Sequence, residues 1–308
     1  MKRWFFCFLI GLSSQVLAEG RYYYEGDGCL FMKNNKSKAT FKGCYRKPDG
    51  SYDEVVLKKL DAFFTVPQDL GESFSLRTLS FLDFLQDKYV PNPKTKIKIT
   101  SSYRSPTYNQ KIRSKGALAG KTSYHMEAMA VDVQFPGVKS EDVWTYAKSL
   151  NYGGMGYYRN KSLHVDSGKP RSWIPETAIE PDSKPPLNKN IYMSVDKDIY
   201  HSGETVQMFF SGVSDYPFGI KTKMEIRNET KKIREISPVF VNTEKTQCVV
   251  VKTRSDVRKI SWEIPKDFTT NERVYFKVEF CKPTYANQPP AINSREFEVR
   301  SNEQKPIS

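Results

Sequence analysis

Ser123-Tyr124-His125-Met126-Glu127-Ala128-Met129-Ala130-Val131-Asp132 is the stretch on which the reading of this 308-residue chain turns. Ala130 to Phe135 reads as a strand closed by Pro136-Gly137, with a histidine in the turn before it and an aspartate within it. A turn followed by a strand can bring His125 and Asp132 to one point. A second short strand, Leu163-His164-Val165-Asp166, supplies another histidine. The chain has only three histidines, so two in one candidate site carry weight. Two imidazoles and a carboxylate make a recognised catalytic zinc set with a fourth position open to water. The residues alone leave plainer readings standing. A histidine near a strand is commonly a satisfied polar residue, Asp132 could be a turn or cap residue, and Arg104 could be a surface ion-pair residue.

Around this stretch the pattern is mixed helix and strand. Asp53–Phe64 carries Val55, Val56, Leu60, Phe63 and Phe64 at helical spacing, and Leu76–Tyr89 repeats it before Pro91 and Pro93. Lys96 to Thr100 alternates polar and apolar, as a half-buried strand does, and runs into the turn Ser101–Pro106. Tyr108–Lys115 reads as a short helix. Ser140 is placed to cap a helix over Glu141–Leu150, with Val143, Trp144, Ala147 and Leu150 inward. Asn151–Tyr158 is a glycine-rich connection into a strand. The sum predicts an α+β domain with helices packed on an antiparallel sheet.

Pro175–Asn190 lacks periodicity and contains Pro181 and Pro185-Pro186, which marks a linker. Beyond it, Ile191–Val195, Thr205–Phe210, Lys221–Arg227, Cys248–Lys252, Lys259–Trp262, Tyr275–Phe280 and Glu296–Arg300 read as strands between turn residues. They predict a small all-β sandwich, immunoglobulin-like, although Cys248 and Cys281 lack the characteristic core spacing. The chain divides as residues 1–18, 19–174, 175–190 and 191–308.

Residues 1–18 have the pattern of a secretory signal peptide: Lys2 and Arg3, a short apolar run, then Val16-Leu17-Ala18. An uncleaved anchor is the plainer alternative. No later stretch is long and apolar enough to span a bilayer. Export with four remaining cysteines invites disulfides, most simply Cys29–Cys44 and Cys248–Cys281. Residues 21–50 then read as an irregular lead-in or a hairpin tied by the first bridge. The formal charge of +13 favours a polyanionic partner over none. Export argues against nucleic acid and for cell-wall polymer or an anionic membrane surface, with plain solubility charge as the alternative.

Several residues near the three candidate ligands have chemistry to offer. Asp166 lies two residues beyond His164, hence on the same strand face, where it could act as base or orient a ligand or substrate group. Arg104 follows a strand end, a natural place for a carboxylate or oxyanion clamp. Glu127 is a weaker base candidate. Tyr157 and Tyr158 are placed to line a cleft.

From Ile97 to Trp173 the chain resembles the murein endopeptidase branch of the D-alanyl-D-alanine carboxypeptidase-like superfamily, the M15 peptidases. The resemblance rests on Tyr103-Arg104-Ser105-Pro106 with Tyr108-Asn109, on Ser123, His125, Ala128, Ala130 and Asp132, and on Gly153-Gly154-Met155-Gly156-Tyr157-Tyr158. It continues through His164-Val165-Asp166, Gly168 and Arg171-Ser172-Trp173. It implies His125, Asp132 and His164 as zinc ligands and Arg104 as the substrate-side arginine. The chain departs from the family in two respects. Ala128 stands where relatives carry glycine, tolerable unless the position needs positive φ. Lys161 and Ser162 stand where relatives often place a base, which moves that role to Asp166.

The resemblance implies a zinc-dependent amidohydrolysis of peptidoglycan stem peptides or crosslinks by an exported protein, periplasmic or secreted. A zinc-containing wall-binding protein without turnover, or a D,D- or L,D-carboxypeptidase, are the competing readings. The β-rich region, outside the resemblance, could bind an envelope protein.

Overall fold

The computed structural model describes residues 20–68, 72–92, 94–116, 119–159, 162–177, 188–240, 247–282 and 288–301. The expected signal peptide, Lys161 and most of the expected linker lie outside them. None of the helices among the described residues is long and apolar enough to cross a membrane.

The chain enters through a hairpin, β1 (Cys29–Asn34) and β2 (Thr40–Cys44), whose ends are joined by the Cys29–Cys44 disulfide. Helix α1 (Glu54–Phe63) begins where the Asp53 carboxylate accepts the amides of Val55 and Val56, at 3.0 and 3.1 Å. Such a cap is worth about 1 kcal/mol. Helix α2 (Leu76–Tyr89) starts at Ser75, whose hydroxyl accepts from the Thr78 amide. It buries Leu79, Phe81, Leu82 and Leu85 in the main core. After β3 (Ile97–Ser101), helix α3 (Pro106–Ser114) opens with Ser105 as cap and Pro106 in the first turn. Helix α4 (Ser140–Ser149) begins one residue earlier than its sequence suggests: Ser140 is already helical, and Lys139 takes the cap position without a side-chain bond.

Strands β4 (Ala130–Gln134), β5 (Gly154–Tyr157), β6 (Leu163–Asp166) and β7 (Arg171–Trp173) complete a seven-stranded sheet in the order β2-β1-β3-β4-β6-β5-β7. The sheet is mixed where an antiparallel one was expected, because β1–β3 and β5–β7 pair in parallel. The first parallel pair follows from the long connection through β2, α1 and α2, since a crossover of that length can return the chain in the same direction. Val131, Val133, Met155, Leu163 and Val165 join the core shared with the helices, so the alternate residues of those strands face the other way.

The C-terminal region forms a second core from Ile191 onward, built on twelve strands among the described residues. These fall into a four-stranded sheet, a six-stranded sheet and a two-stranded pair. The second disulfide, Cys248–Cys281, joins two strands of the six-stranded sheet. Segments predicted as single strands are divided: Lys221–Arg227 covers the end of one strand (Phe218–Lys221) and all of the next (Met224–Arg227).

The two regions meet over polar contacts that are themselves buried. Arg77 of α2 is 4% exposed and pairs with Asp198, while its second nitrogen donates to the Val195 carbonyl at 2.8 Å. Arg295 donates to the carbonyls of Tyr152, Ser167 and Gly168. Arg254 grips Glu72 with two nitrogens, at 3.0 and 2.7 Å, and donates to the Met126 carbonyl at 3.2 Å. Phe209 packs against Tyr124, Met129 and Ala130.

Candidate metal centre

The face of the sheet turned away from the helices carries the polar residues of β4 and β6. Register places Asp132 directly opposite His164, and Ala130 opposite Asp166. Asp132 and His164 are therefore cross-strand neighbours on one face. His125 arrives from a 3-10 turn, Tyr124–Glu127, that ends in Ala128 with φ 53° and ψ 31°. That left-handed residue reverses the chain into β4.

This is the conformation for which relatives use glycine, and alanine adopts it at a cost of about 1–2 kcal/mol. Glycine in its place would also loosen the unfolded chain, at about 0.4–1 kcal/mol. Ala128→Gly is therefore expected to stabilise the protein by up to about 1 kcal/mol in urea denaturation. A measured loss of stability would mean that packing of the fully buried Ala128 methyl outweighs backbone strain.

Three donor atoms converge. His125 Nε2 lies 3.2 Å from His164 Nδ1 and 3.3 Å from Asp132 Oδ1, and His164 Nδ1 lies 3.1 Å from Asp132 Oδ1. Four ligands arranged tetrahedrally about zinc at 2.0–2.1 Å stand about 3.3 Å apart, so the triangle matches one face of such a tetrahedron. The tautomers agree. His125 Nδ1 is 2.7 Å from the Ser102 carbonyl, which can only accept, so that nitrogen carries the proton. His164 Nε2 is 2.8 Å from Asp166 Oδ2, and it donates there in the same way. Both nitrogens facing the triangle are then lone-pair donors beside a carboxylate oxygen. Three acceptors in van der Waals contact repel one another unless a cation or a proton sits among them. The residues fit a metal ion.

Electrostatics tell the same story. Burial would raise the Asp132 carboxyl, but the charges and hydrogen bonds of His125 and His164 outweigh it and hold it well below the usual range. Burial pushes His125 down. Burial also acts to lower His164, yet its bonds to Asp132 and Asp166 prevail and raise it. The buried Asp132 carboxylate thus calls for positive charge beside it.

Of the other expected site residues, Asp166 is fully buried and heavily engaged. Its oxygens accept from His164, from the Gly154 and Gly168 amides at 3.1 and 2.9 Å, and from both terminal nitrogens of Arg171 at 3.2 and 2.7 Å. Burial would raise its carboxyl, but Arg171 and His164 depress it well below the usual range. Arg104 donates from Nη2 to Asp132 Oδ2 at 2.8 Å and from Nε to the Ser101 hydroxyl at 3.0 Å. It steadies the second oxygen of the aspartate. Glu127 is committed to the C-terminal region, where Oε1 accepts the Gly212 amide at 2.9 Å near Arg254 and Arg258.

The two tyrosines part company. Tyr157 stacks on Trp144, centroids 5.4 Å apart, on the helix side of the sheet. Strand alternation dictates this, since Met155 and Tyr157 share a face while Gly154 and Gly156 share the other. Tyr158, one residue past the strand, lies within electrostatic reach of Asp132 and Arg104 and bonds to Trp173.

The glycines make room for what packs on them. A methyl on Gly154 would sit 2.2 Å from Asp166 Oδ2, and one on Gly156 would sit 2.6 Å from the Trp173 ring. Three residues without an assigned role in the sequence reading therefore belong to the site: Ser102, which fixes His125, and Arg171 and Trp173. Arg171 braces Asp166, and the Trp173 ring lies 4.9 Å from that of His164. Their signal was the alternation Arg171-Ser172-Trp173 just after Gly168, which marks a short strand with two large side chains on one face.

The profile of the family described as peptidoglycan L,D-endopeptidase MepK matches residues 27–173. The chain is 33% identical over 78 residues to peptidoglycan L,D-endopeptidase MepK of Escherichia coli (strain K12), an overlap of 25% of this chain and 43% of that protein. It is 37% identical over 78 residues to the probable peptidoglycan L,D-endopeptidase MepK of Haemophilus influenzae, over 25% of this chain and 42% of that protein. The matching stretch thus spans less than half the length of these relatives.

Proposed function

Residues 27–173 belong to the M15 murein endopeptidase family, and from that premise we propose that this protein is a zinc-dependent peptidase that hydrolyses amide bonds in peptidoglycan stem peptides or crosslinks. The observation that carries the proposal is the donor triangle, with edges of 3.1–3.3 Å, made by His125, Asp132 and His164. In this reading those three residues hold the ion. When bound, zinc supplies Lewis acidity that lowers the pKa of a water and polarises the scissile carbonyl.

The chain's own residues do the positioning. Ser102 and Asp166 fix the tautomers of the two histidines, each through the nitrogen turned away from the triangle. Arg104 holds Asp132 through Nη2 and is the group nearest to hand for a substrate carboxylate or a developing oxyanion. Tyr158, a neutral phenol held by Trp173, is a donor on the substrate side. Asp166, for which the sequence suggested either a base or an orienting group, takes the second role here, because one oxygen holds His164 Nε2 and the Gly154 and Gly168 amides and Arg171 occupy the rest of the carboxylate. We infer an envelope location, periplasmic or secreted, from the substrate. We also retain the immunoglobulin-like sandwich as our reading of the C-terminal strands.

Digestion of defined muropeptides, with and without a chelator, tests the proposal. Cleavage of a peptide crosslink that stops on chelation and returns with zinc is expected. Loss of a terminal D-residue alone would make it a carboxypeptidase. Tight binding to sacculi with no product, in zinc-loaded protein, would replace the enzyme by a wall-binding protein.

A further inference from the structure

The chain running into β1 crosses α2 at a point where three aspartates meet. We propose that Asp27, Asp83 and Asp87 form a second cation site, which takes a hard divalent ion such as calcium through carboxylate oxygens. Asp83 and Asp87 stand one helical turn apart on α2, and Asp27 lies two residues before Cys29. One oxygen from each lies within 4.8 Å of the others. That is about twice the 2.3–2.6 Å of a calcium–oxygen bond, so one ion can touch all three.

A separate observation points to a missing ligand. Asp83 is fully buried; Oδ2 accepts the Gly28 amide at 2.7 Å and the Tyr45 hydroxyl at 2.9 Å, while Oδ1 has no hydrogen-bond partner. That orphan oxygen shares a pocket over Gly26 with Asp87: a methyl built on Gly26 would lie 2.5 Å from Asp83 Oδ1 and 2.6 Å from Asp87 Oδ2, which also accepts the Asp27 amide at 2.7 Å. A buried carboxylate oxygen with no donor is costly, and like charges one turn apart on a helix repel. Burial pushes the Asp83 carboxyl up to about 8, with Asp87 adding to the rise, so the position calls for a positive charge. Arg46 supplies some of it, since its charge acts to lower the Asp87 carboxyl without offsetting burial, but its bonds go to Glu25 at 3.0 Å and to the Gly26 carbonyl. Asp27 and Asp87 reach solvent, which gives an ion its entry and its waters. The donors are all oxygen, which selects calcium or magnesium over the zinc suited to the histidine-bearing cluster. A bound ion would tie the entering segment to α2.

Terbium(III) alone, added to zinc-loaded full-length protein, reads this site without any activity assay. Tyr45 touches Asp83 and serves as the antenna. Tyrosine-sensitised terbium emission should appear, saturate at one ion per chain, and be displaced by calcium. Asp27→Asn and Asp87→Asn change solvent-exposed side chains and should each weaken terbium binding at least tenfold, while their circular dichroism matches the parent. Absence of sensitised emission overturns the proposal, and so does emission that calcium does not displace or that both variants retain at parental affinity. A proton shared by Asp83 and Asp87 in place of an ion would give the first of those results.

Discussion

His125→Ala is expected to lower the release of cleaved crosslinks from purified sacculi by at least about 10³-fold. The argument is one of donor count. Without His125 Nε2 the triangle loses two of its three edges, leaving only Asp132 and His164. Two donors do not hold zinc against water and competing ligands as three do. Lewis-acid catalysis is worth several kcal/mol, and each 1.36 kcal/mol is tenfold in rate. Bound zinc per chain should fall in parallel, which separates this effect from a damaged substrate site. The Ser102 carbonyl would lose its donor, a modest local cost, so the fold should survive and circular dichroism should confirm it. Parental digestion rates, or one zinc per chain retained in the variant, would remove His125 from the ligand set.

Asp166→Asn separates the two roles that the sequence left open for this residue. If Asp166 orients His164, the asparagine variant should lose about 10- to 100-fold in zinc affinity, the usual effect of removing a group that holds a metal-bound histidine. Its activity should then recover in excess zinc. A lost general base would instead cost about 10²–10⁴-fold in turnover, with zinc bound normally and no rescue. The contacts favour the first outcome. Asp166 Oδ2 is 2.8 Å from the His164 nitrogen that faces away from the triangle, and two amides and Arg171 occupy the rest of the carboxylate. Arg171 is 39% exposed and can turn toward solvent, so the substitution need not strand a buried charge. A zinc titration followed by turnover at saturation decides the matter, and unrescued loss with tight zinc would return the proton to Asp166.

Residue pattern carried the local structure of this chain well and its long-range structure poorly. Helices α1 and α2 were legible because their apolar residues repeat at helical spacing and Pro91 and Pro93 close the second, while their caps, Asp53 and Ser75, went unread. Strands β4 and β6 were legible because Val131, Val133, Leu163 and Val165 alternate with polar residues. The same alternation put His164 and Asp166 on one face. Register was not legible, and register is what sets Asp132 against His164. Nor could spacing tell which of two adjacent tyrosines faced the site, since that depends on where β5 ends. Ala128 was flagged as a departure whose tolerance hinged on φ, and its φ proved positive. The partner of Glu127, the Gly212 amide, was not legible because it is 85 residues away. The C-terminal strands were undercounted because pieces of two to four residues are too short to display a period of two.

The character of the sequence changes near residue 190, yet the folded protein has no seam there. Arg77 and Arg295 are buried, and each finds its acceptors only across that divide. Removing the Asp198 carboxylate would leave the Arg77 guanidinium buried and unpaired, at about 3–5 kcal/mol. Two of the three carbonyls that Arg295 holds, those of Ser167 and Gly168, directly follow Asp166, and the carbonyl that Arg254 holds directly follows His125. The C-terminal strands thus act as a chassis for the ligand loops rather than as cargo trailing an enzyme. A change in residues outside 27–173 is therefore expected to disturb the donor triangle while leaving His125, Asp132 and His164 in the sequence.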